Sequence, residues 1–458
     1  MLVLNLLIKP AWIFFIDRQV QNQVGHEVYG RYFAVFNLSY VLLFLTDAGL
    51  SNMVNQRIAS HQSASPGHYL KLKLFFCFIY VAIAGLVGWI TGLQQWTIFF
   101  YVIGIQLLSS FFVFFRGIIT AHQFFTADAW FSVVDKSLMI LLCVGFVYVP
   151  VMLGKITLLL FLKIQLLCTA FAVLVSFLFV VRKKLLTGGI KENTFSVLKS
   201  IAPFAVIILL MSMHYRIDGF LLERIHSNGA YEAGIYASAY RLLDATNTVG
   251  YLAASFLVPF IARHQFQKKT IEEAVINTRH GLLFFGIGVA CFCILFAPWI
   301  QELLYHTDTP YHSKVIQLCV SVLPAYLLVH VYGSALTATA RYRSFILVML
   351  LSVLFNLVLN FILIPLYGAV GCCISALTSQ YFCALGCYLV ATKSLELPFM
   401  PKSIIIYLAT TIGLIAFFYF GKLLKLNVWL ILVTAICFVL MLLIAQITYN
   451  KKYFIRLP

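Results

Sequence analysis

Apolar runs of about twenty residues, parted by short polar connections, recur along the whole chain. Fourteen can be placed, at about 2–16, 32–56, 74–91, 96–115, 129–153, 156–181, 200–223, 233–262, 280–300, 314–340, 344–364, 369–392, 403–421 and 427–448. They do not alternate apolar and polar positions, so they predict helices rather than strands. Most are long enough to cross a hydrocarbon layer of about 30 Å, and lipid admits only helices and closed barrels. The first run is short and carries Lys9 and Pro10; it predicts a tilted, kinked span or one that lacks its beginning. Pro365-Leu366-Tyr367-Gly368 predicts a tight outer turn between two spans.

Composition agrees with a membrane chain. Hydrophobic residues make up 62% and charged residues 10%, with mean hydropathy +0.97. Soluble domains carry about 25% charged residues. The net charge of +17 could signal nucleic acid, but the Lys and Arg are scattered between apolar runs, so membrane topology explains them and no nucleic-acid partner is expected. Most of the 11 Cys lie inside apolar runs and read as small buried hydrophobes without metal or disulfide spacing. The connections are short, and no Walker-type glycine loop is present.

The basic residues are unevenly shared. Connections after even-numbered runs hold most of them, including Arg57-Lys71-Lys73, Arg182-Lys183-Lys184-Lys191-Lys199, Arg263-Lys268-Lys269 and Lys451-Lys452-Arg456. That bias predicts cytoplasmic termini and cytoplasmic basic loops. The chain also repeats itself. Gly30-x-Tyr32 returns as Gly234-x-Tyr236, and Ile58-Ala59-Ser60-His61-Gln62 as Ile261-Ala262-Arg263-His264-Gln265. The expected architecture is all-α and polytopic: two pseudo-symmetric six-helix bundles, 1–181 and 200–392, around a central cavity. A basic loop at 182–199 would join them, and 393–458 would add two helices and a basic tail.

Ionisable residues inside spans are costly and usually mark function. Arg216 and Asp218 lie in the seventh run, Arg241 and Asp244 in the eighth, Asp47 in the second. They predict a wet cavity that accepts an anionic head group, with buried structural ion pairs as the alternative. Asp17, Arg18 and Arg31 read as solvated interface residues. Asp135 and Lys136 read as an anchor close to a cytoplasmic end. Lys163 could line the cavity or reach outward. His61 and His264 read as solvated loop residues, and Asn356 with Asn360 as interhelical hydrogen-bonding groups.

Several motifs together resemble a known family. Tyr29-Gly30-Arg31-Tyr32-Phe33, Asp47-Ala48-Gly49-Leu50 and Arg57-Ile58-Ala59 come first. Tyr215-Arg216-Ile217-Asp218, Ala239-Tyr240-Arg241-Leu242-Leu243-Asp244, Val258-Pro259-Phe260 and the run from Asn360 to Gly368 follow. In order and spacing they resemble the Wzx-type (O-antigen) polysaccharide flippases of the multidrug/oligosaccharidyl-lipid/polysaccharide exporter superfamily. The resemblance implies a non-enzymatic flippase that moves undecaprenyl-pyrophosphate-linked oligosaccharide across the bacterial inner membrane. Membrane lipids and a polysaccharide polymerase would be its partners. It implies substrate contacts at Arg216, Arg241 and Arg18, with Lys9 and Arg57 weaker and Asp218 and Asp244 as counter-charges. No cofactor is expected, although buried Asp residues permit proton or sodium coupling. A multidrug/cation antiporter of the same superfamily and a peptidoglycan-precursor flippase are the alternatives.

Overall fold

The computed structural model describes residues 8, 10–59, 66–149, 156–186, 193–307, 309–398 and 401–456; Lys9 and His61 lie outside them. Among the described residues every regular element is helical. A π-helical α1 (Trp12–Asp17) continues into α2 (Arg18–Val24). Then come α3 (His26–Leu42), α4 (Phe44–Asp47), α5 (Leu50–Ala59), α6 (Pro66–Ile90), α7 (Trp96–Ala121), α8 (Phe125–Tyr148), α9 (Leu158–Arg182) and α10 (Thr194–Ile225). The rest are α11 (Gly229–Arg263), α12 (Lys268–Tyr305), α13 (Pro310–Val320), α14 (Leu323–Ala338), α15 (Tyr342–Leu395), α16 (Pro401–Leu423) and α17 (Val428–Arg456).

These elements make up the fourteen helical segments. Eleven described stretches are individually long and apolar enough to span a membrane. The shortfall has identifiable causes. The 54-residue α15 holds two of the expected segments, separated at Gly368, whose φ of 56° and ψ of −129° leave the helical region. Only glycine adopts that backbone readily, and Pro365 helps loosen the turn before it. The apolar part of α17, Val428–Ile444, is shorter, and the first segment is only partly described.

Contacts sort the chain into two compact units. Unit 1 comprises Met1–Arg224 and Asn228–Gly234; unit 2 comprises Ile225–Ser227 and Ile235–Pro458. The sequence pattern places the division at 182–199, whereas the compact units change over at 225–235. The reason is local. Helix α10 lies along α3, with Gly219 against Phe33 and Asn37. Its far end is tied down by Arg224, which donates to the carbonyls of Thr91 (3.1 Å) and Gly92 (3.3 Å).

In unit 1 the core gathers Phe114, Phe115, Ile118 and Ile119 of α7 with Ala172 and Val180 of α9. The second expected span is broken. Ala48 (φ 47°) and Gly49 (φ 87°) separate α4 from α5. Asp47 caps the new helix by accepting from the Ser51 backbone N–H at 3.1 Å, an anion at a helix N-terminus. Lys73 closes the break. Its Nζ donates to Asp47 (2.8 Å), to Ser110 (2.8 Å) and to the Thr46 carbonyl (3.4 Å). This corrects the placement of Lys73 in a cytoplasmic loop: α6 begins at Pro66, earlier than the apolar run at 74, and Lys73 is 0% exposed.

In unit 2, α13 and α14 are the most enclosed span. Helix α12 bends at Phe296, two residues before Pro298, where the proline removes a helical hydrogen bond. Helices α16 and α17 pack on it through Phe418, Ile431 and Cys291. Tyr407 on α16 meets His280 Nδ1 at 2.5 Å. Asn360 donates to Asn356 at 3.0 Å, and Asn356 to Ser379 at 3.2 Å across the halves of α15, the interhelical role that their spacing predicts.

Candidate functional site

Arg216, Asp218 and Arg241 lie where their helices are enclosed on every side. Residues 214–220 of α10 and 233–241 of α11 are buried without interruption. A helix normally shows one face to lipid; these stretches show none, so their polar groups are kept from hydrocarbon. Arg216 is 9% exposed, Asp218 2% and Arg241 9%; Asp244 is half-buried.

In unit 1, the Arg216 guanidinium lies 4.9 Å from the centroid of Tyr40, a cation–π contact. Tyr40 ends a row of aromatic rings on one face of α3. Tyr29–Tyr32 centroids are 5.4 Å apart, Tyr32–Phe36 6.0 Å and Phe36–Tyr40 6.1 Å. At the other end Tyr29 donates to Asp17 at 2.7 Å. Asp17 is 2% exposed, so it is not a solvated interface residue as the sequence suggested; the buried Tyr29 hydroxyl takes the place of water. Arg31 does keep its surface position, paired with Glu27 at 2.5 Å and 42% exposed. Arg18 and Arg57 are half-buried on α2 and α5.

The sequence reading missed the aromatic row. Its signal was present as Tyr29, Tyr32, Phe36 and Tyr40, spaced three or four apart on one helical face. It also missed the bidentate Arg116–Asp128 pair (2.6 and 3.1 Å). Lys163 is exposed on the same face of α9 as Leu159, Leu167 and Phe171, so it reaches outward. His264 lies tilted against Phe260, ring centroids 4.5 Å apart.

In unit 2, Arg241 follows Tyr240, whose ring contacts Tyr236 at 5.6 Å. Beside it, Leu242 borders an apolar hollow of about 440 Å³, lined also by Phe285, Phe292, Trp299, Trp429 and Leu443. Among the described residues no three His, Cys, Asp or Glu side chains converge as a metal site.

A family model described as polysaccharide biosynthesis protein matches residues 19–265. The chain belongs to that family. Arg216, Arg241 and the whole aromatic row fall inside the matched region. Solved structures extend the likeness over the full chain. The lipid II flippase MurJ, in an inward closed conformation, is similar at a TM-score of 0.70 with 13% identity, over 99% of this chain and 100% of that one. An inward-facing multidrug resistance MATE transporter reaches 0.62 with 15% identity, over 86% and 95%. A MOP superfamily transporter from Pyrococcus furiosus, described by the reverse polarity of its binding pocket, reaches 0.61 with 15% identity, over 86% and 92%. A comparison with curated protein sequences finds no match. This family member is therefore a multi-pass membrane protein with the fold of the MOP flippases and transporters, proteins that move substrates rather than catalyse reactions.

Proposed function

We propose that the protein moves undecaprenyl-pyrophosphate-linked oligosaccharide from the inner to the outer leaflet of the bacterial cytoplasmic membrane by alternating access. The bundles 1–181 and 200–392, joined by the basic loop at 182–199, would rock to expose a shared cavity to each side. Both termini would be cytoplasmic, and a polysaccharide polymerase would consume the product.

The observation that carries this reading is the placing of Arg216 and Arg241 in the enclosed stretches of two spans, in a chain of the polysaccharide biosynthesis family. Arginine grips phosphate bidentately and stays charged in any surroundings. Asp218 and Asp244 temper the positive field so that the head group can leave. Phe36 and Tyr40, the half-buried end of the aromatic row on α3, offer flat faces of the kind that sugars meet. The hollow beside Leu242 suits a polyprenyl chain, which gains by staying in apolar surroundings. Arg18 and Arg57, with Lys9, would guide the head group in. Proton or sodium coupling through the buried Asp residues belongs to the same proposal.

Deletion of the gene tests it. Lipid-linked glycan should accumulate on the inner leaflet, while the glycosyltransferases and polymerase remain active. Drug hypersensitivity with intact surface glycan would instead favour the multidrug antiporter, and arrested peptidoglycan synthesis the lipid II route.

A further inference from the structure

Asp135 and Lys136 lie midway along the 24-residue α8, about 16 Å from its start at 1.5 Å per residue. The sequence reading placed them near a cytoplasmic end; α8 begins at Phe125, ahead of its apolar run, and so carries them into mid-membrane. Their contact is long, 3.4 Å, and both keep accessible surface, 15% for Asp135 and 26% for Lys136. Exposed Trp130 and Leu141 mark one side of α8, and both charged residues project roughly 120° or more away from it, with exposed Leu142 flanking Asp135. Ser132, Met139 and Cys143, which share their side, are buried.

Opposite stands α9. Phe161, Gln165 and Cys168 share one of its faces, and Cys168 is within electrostatic reach of both charged groups. Gln165 is 9% exposed, and its Oε1 has no hydrogen-bond partner among the described residues. A buried acceptor left unmatched is costly unless a ligand or water completes it. Trp12 closes the cluster. Its ring stacks on Phe161 at 5.7 Å, and Lys136 Nζ lies 5.6 Å from its centroid. Phe161 also meets Tyr32 at 6.3 Å, so the cluster adjoins the aromatic row.

We propose that Asp135, Lys136 and Gln165 form a subsite for a neutral sugar residue of the carried head group. The inference rests on the flippase reading. The chemistry selects the ligand. Ammonium and carboxylate together carry no net charge, so a phosphate gains from Lys136 what it loses to Asp135. A metal cation meets the converse problem. A hydroxyl both donates and accepts: one accepts from Lys136 while another donates to Asp135 or to Gln165 Oε1. The partly buried setting makes each bond count for more than at a surface.

The test uses full-length protein in nanodiscs and two probes. One is bare undecaprenyl pyrophosphate; the other is the lipid-linked oligosaccharide extracted from the gene-deletion strain. The double variant Asp135→Asn/Lys136→Met, and separately Gln165→Leu, should weaken glycolipid binding tenfold or more while bare-lipid affinity stays within twofold. Retained bare-lipid binding also shows that the variant is folded. Lys136→Arg, which keeps the charge, should recover part of the loss. Equal loss for both probes, or no loss for either, overturns the subsite. Wild-type protein that binds neither probe overturns the flippase reading, and the subsite falls with it.

Discussion

Gly30 and Gly234, the two positions that the internal repeat pairs, approach so closely that a Cβ on Gly30 would lie 2.6 Å from the Gly234 backbone nitrogen. It would also collide with the Ala230 carbonyl, and a Cβ on Gly234 would strike the backbone of His26. Gln21 seals the contact by donating to the Gly234 carbonyl at 2.8 Å. Both helices thus use a glycine because backbone, not side chain, fills the gap.

Gly30→Ala and Gly234→Ala should therefore each destabilise the protein by about 1–3 kcal/mol, because rigid backbone cannot yield as a side chain would. Gly85→Ala is the control: nothing lies within 4 Å of a Cβ there, and alanine is the better helix former. Thermal unfolding in detergent should show lower midpoints for the first two variants and no loss for Gly85→Ala.

The Lys73–Asp47 pair predicts a different signature. Lys73→Met leaves Asp47 beside Ser51 without its cation, and should cost about 3–5 kcal/mol, as for other buried pairs that lose one partner. The double variant Lys73→Met/Asp47→Asn removes both charges and should regain part of that loss. A double-mutant cycle on unfolding measures the coupling; additive losses would show that the two groups do not interact.

How far the sequence could be read follows from cases like these. Span number and helical class were legible, because twenty-residue apolar runs allow few alternatives. The break in the second span was marked by Asp47-Ala48-Gly49, yet the run on either side of it looks continuous. Lys73 was read as a loop cation because hydropathy starts the third span at 74; its partners, 26 and 37 residues away, leave no trace in local pattern. Asp17 failed for the same reason: Tyr29 satisfies it across a turn. The buried settings of Arg216 and Arg241 were foreshadowed by charge within apolar sequence, while the aromatic row and the depth of Lys136 needed the helix boundaries.

At the surface, Glu396 follows the end of α15 and pairs with Lys268 at the start of α12. Lys268 pulls the carboxyl below its ordinary 4.5. A depressed carboxylate contributes stability above the unfolded-state value and loses it as pH falls through the folded one. Any gain that Lys268→Ala removes at pH 7 should thus shrink as pH falls below 4.5 and be absent once the folded-state carboxyl is protonated. Because both side chains are exposed, high salt should erase it too. Unfolding midpoints of both proteins across pH and salt check this; a difference that persists in acid would assign it to some other contact of Lys268.

Arg216 and Tyr40 connect packing to transport. The guanidinium lies over the ring at 4.9 Å, which restrains the side chain and lowers the entropy lost when it takes a phosphate. Arg216→Ala and Arg241→Ala should each abolish export of surface polysaccharide while membrane insertion and protein level persist. Arg216→Lys keeps the charge but loses the planar fork, and should restore only part of the flux. Tyr40→Leu should lower flux without eliminating it, since it removes the support and leaves the arginine. Export assays in a complemented deletion strain, normalised to protein in the membrane fraction, give the ranking. A lysine variant as active as wild type would mean that point charge alone suffices, and normal export by both alanine variants would remove these arginines from the site.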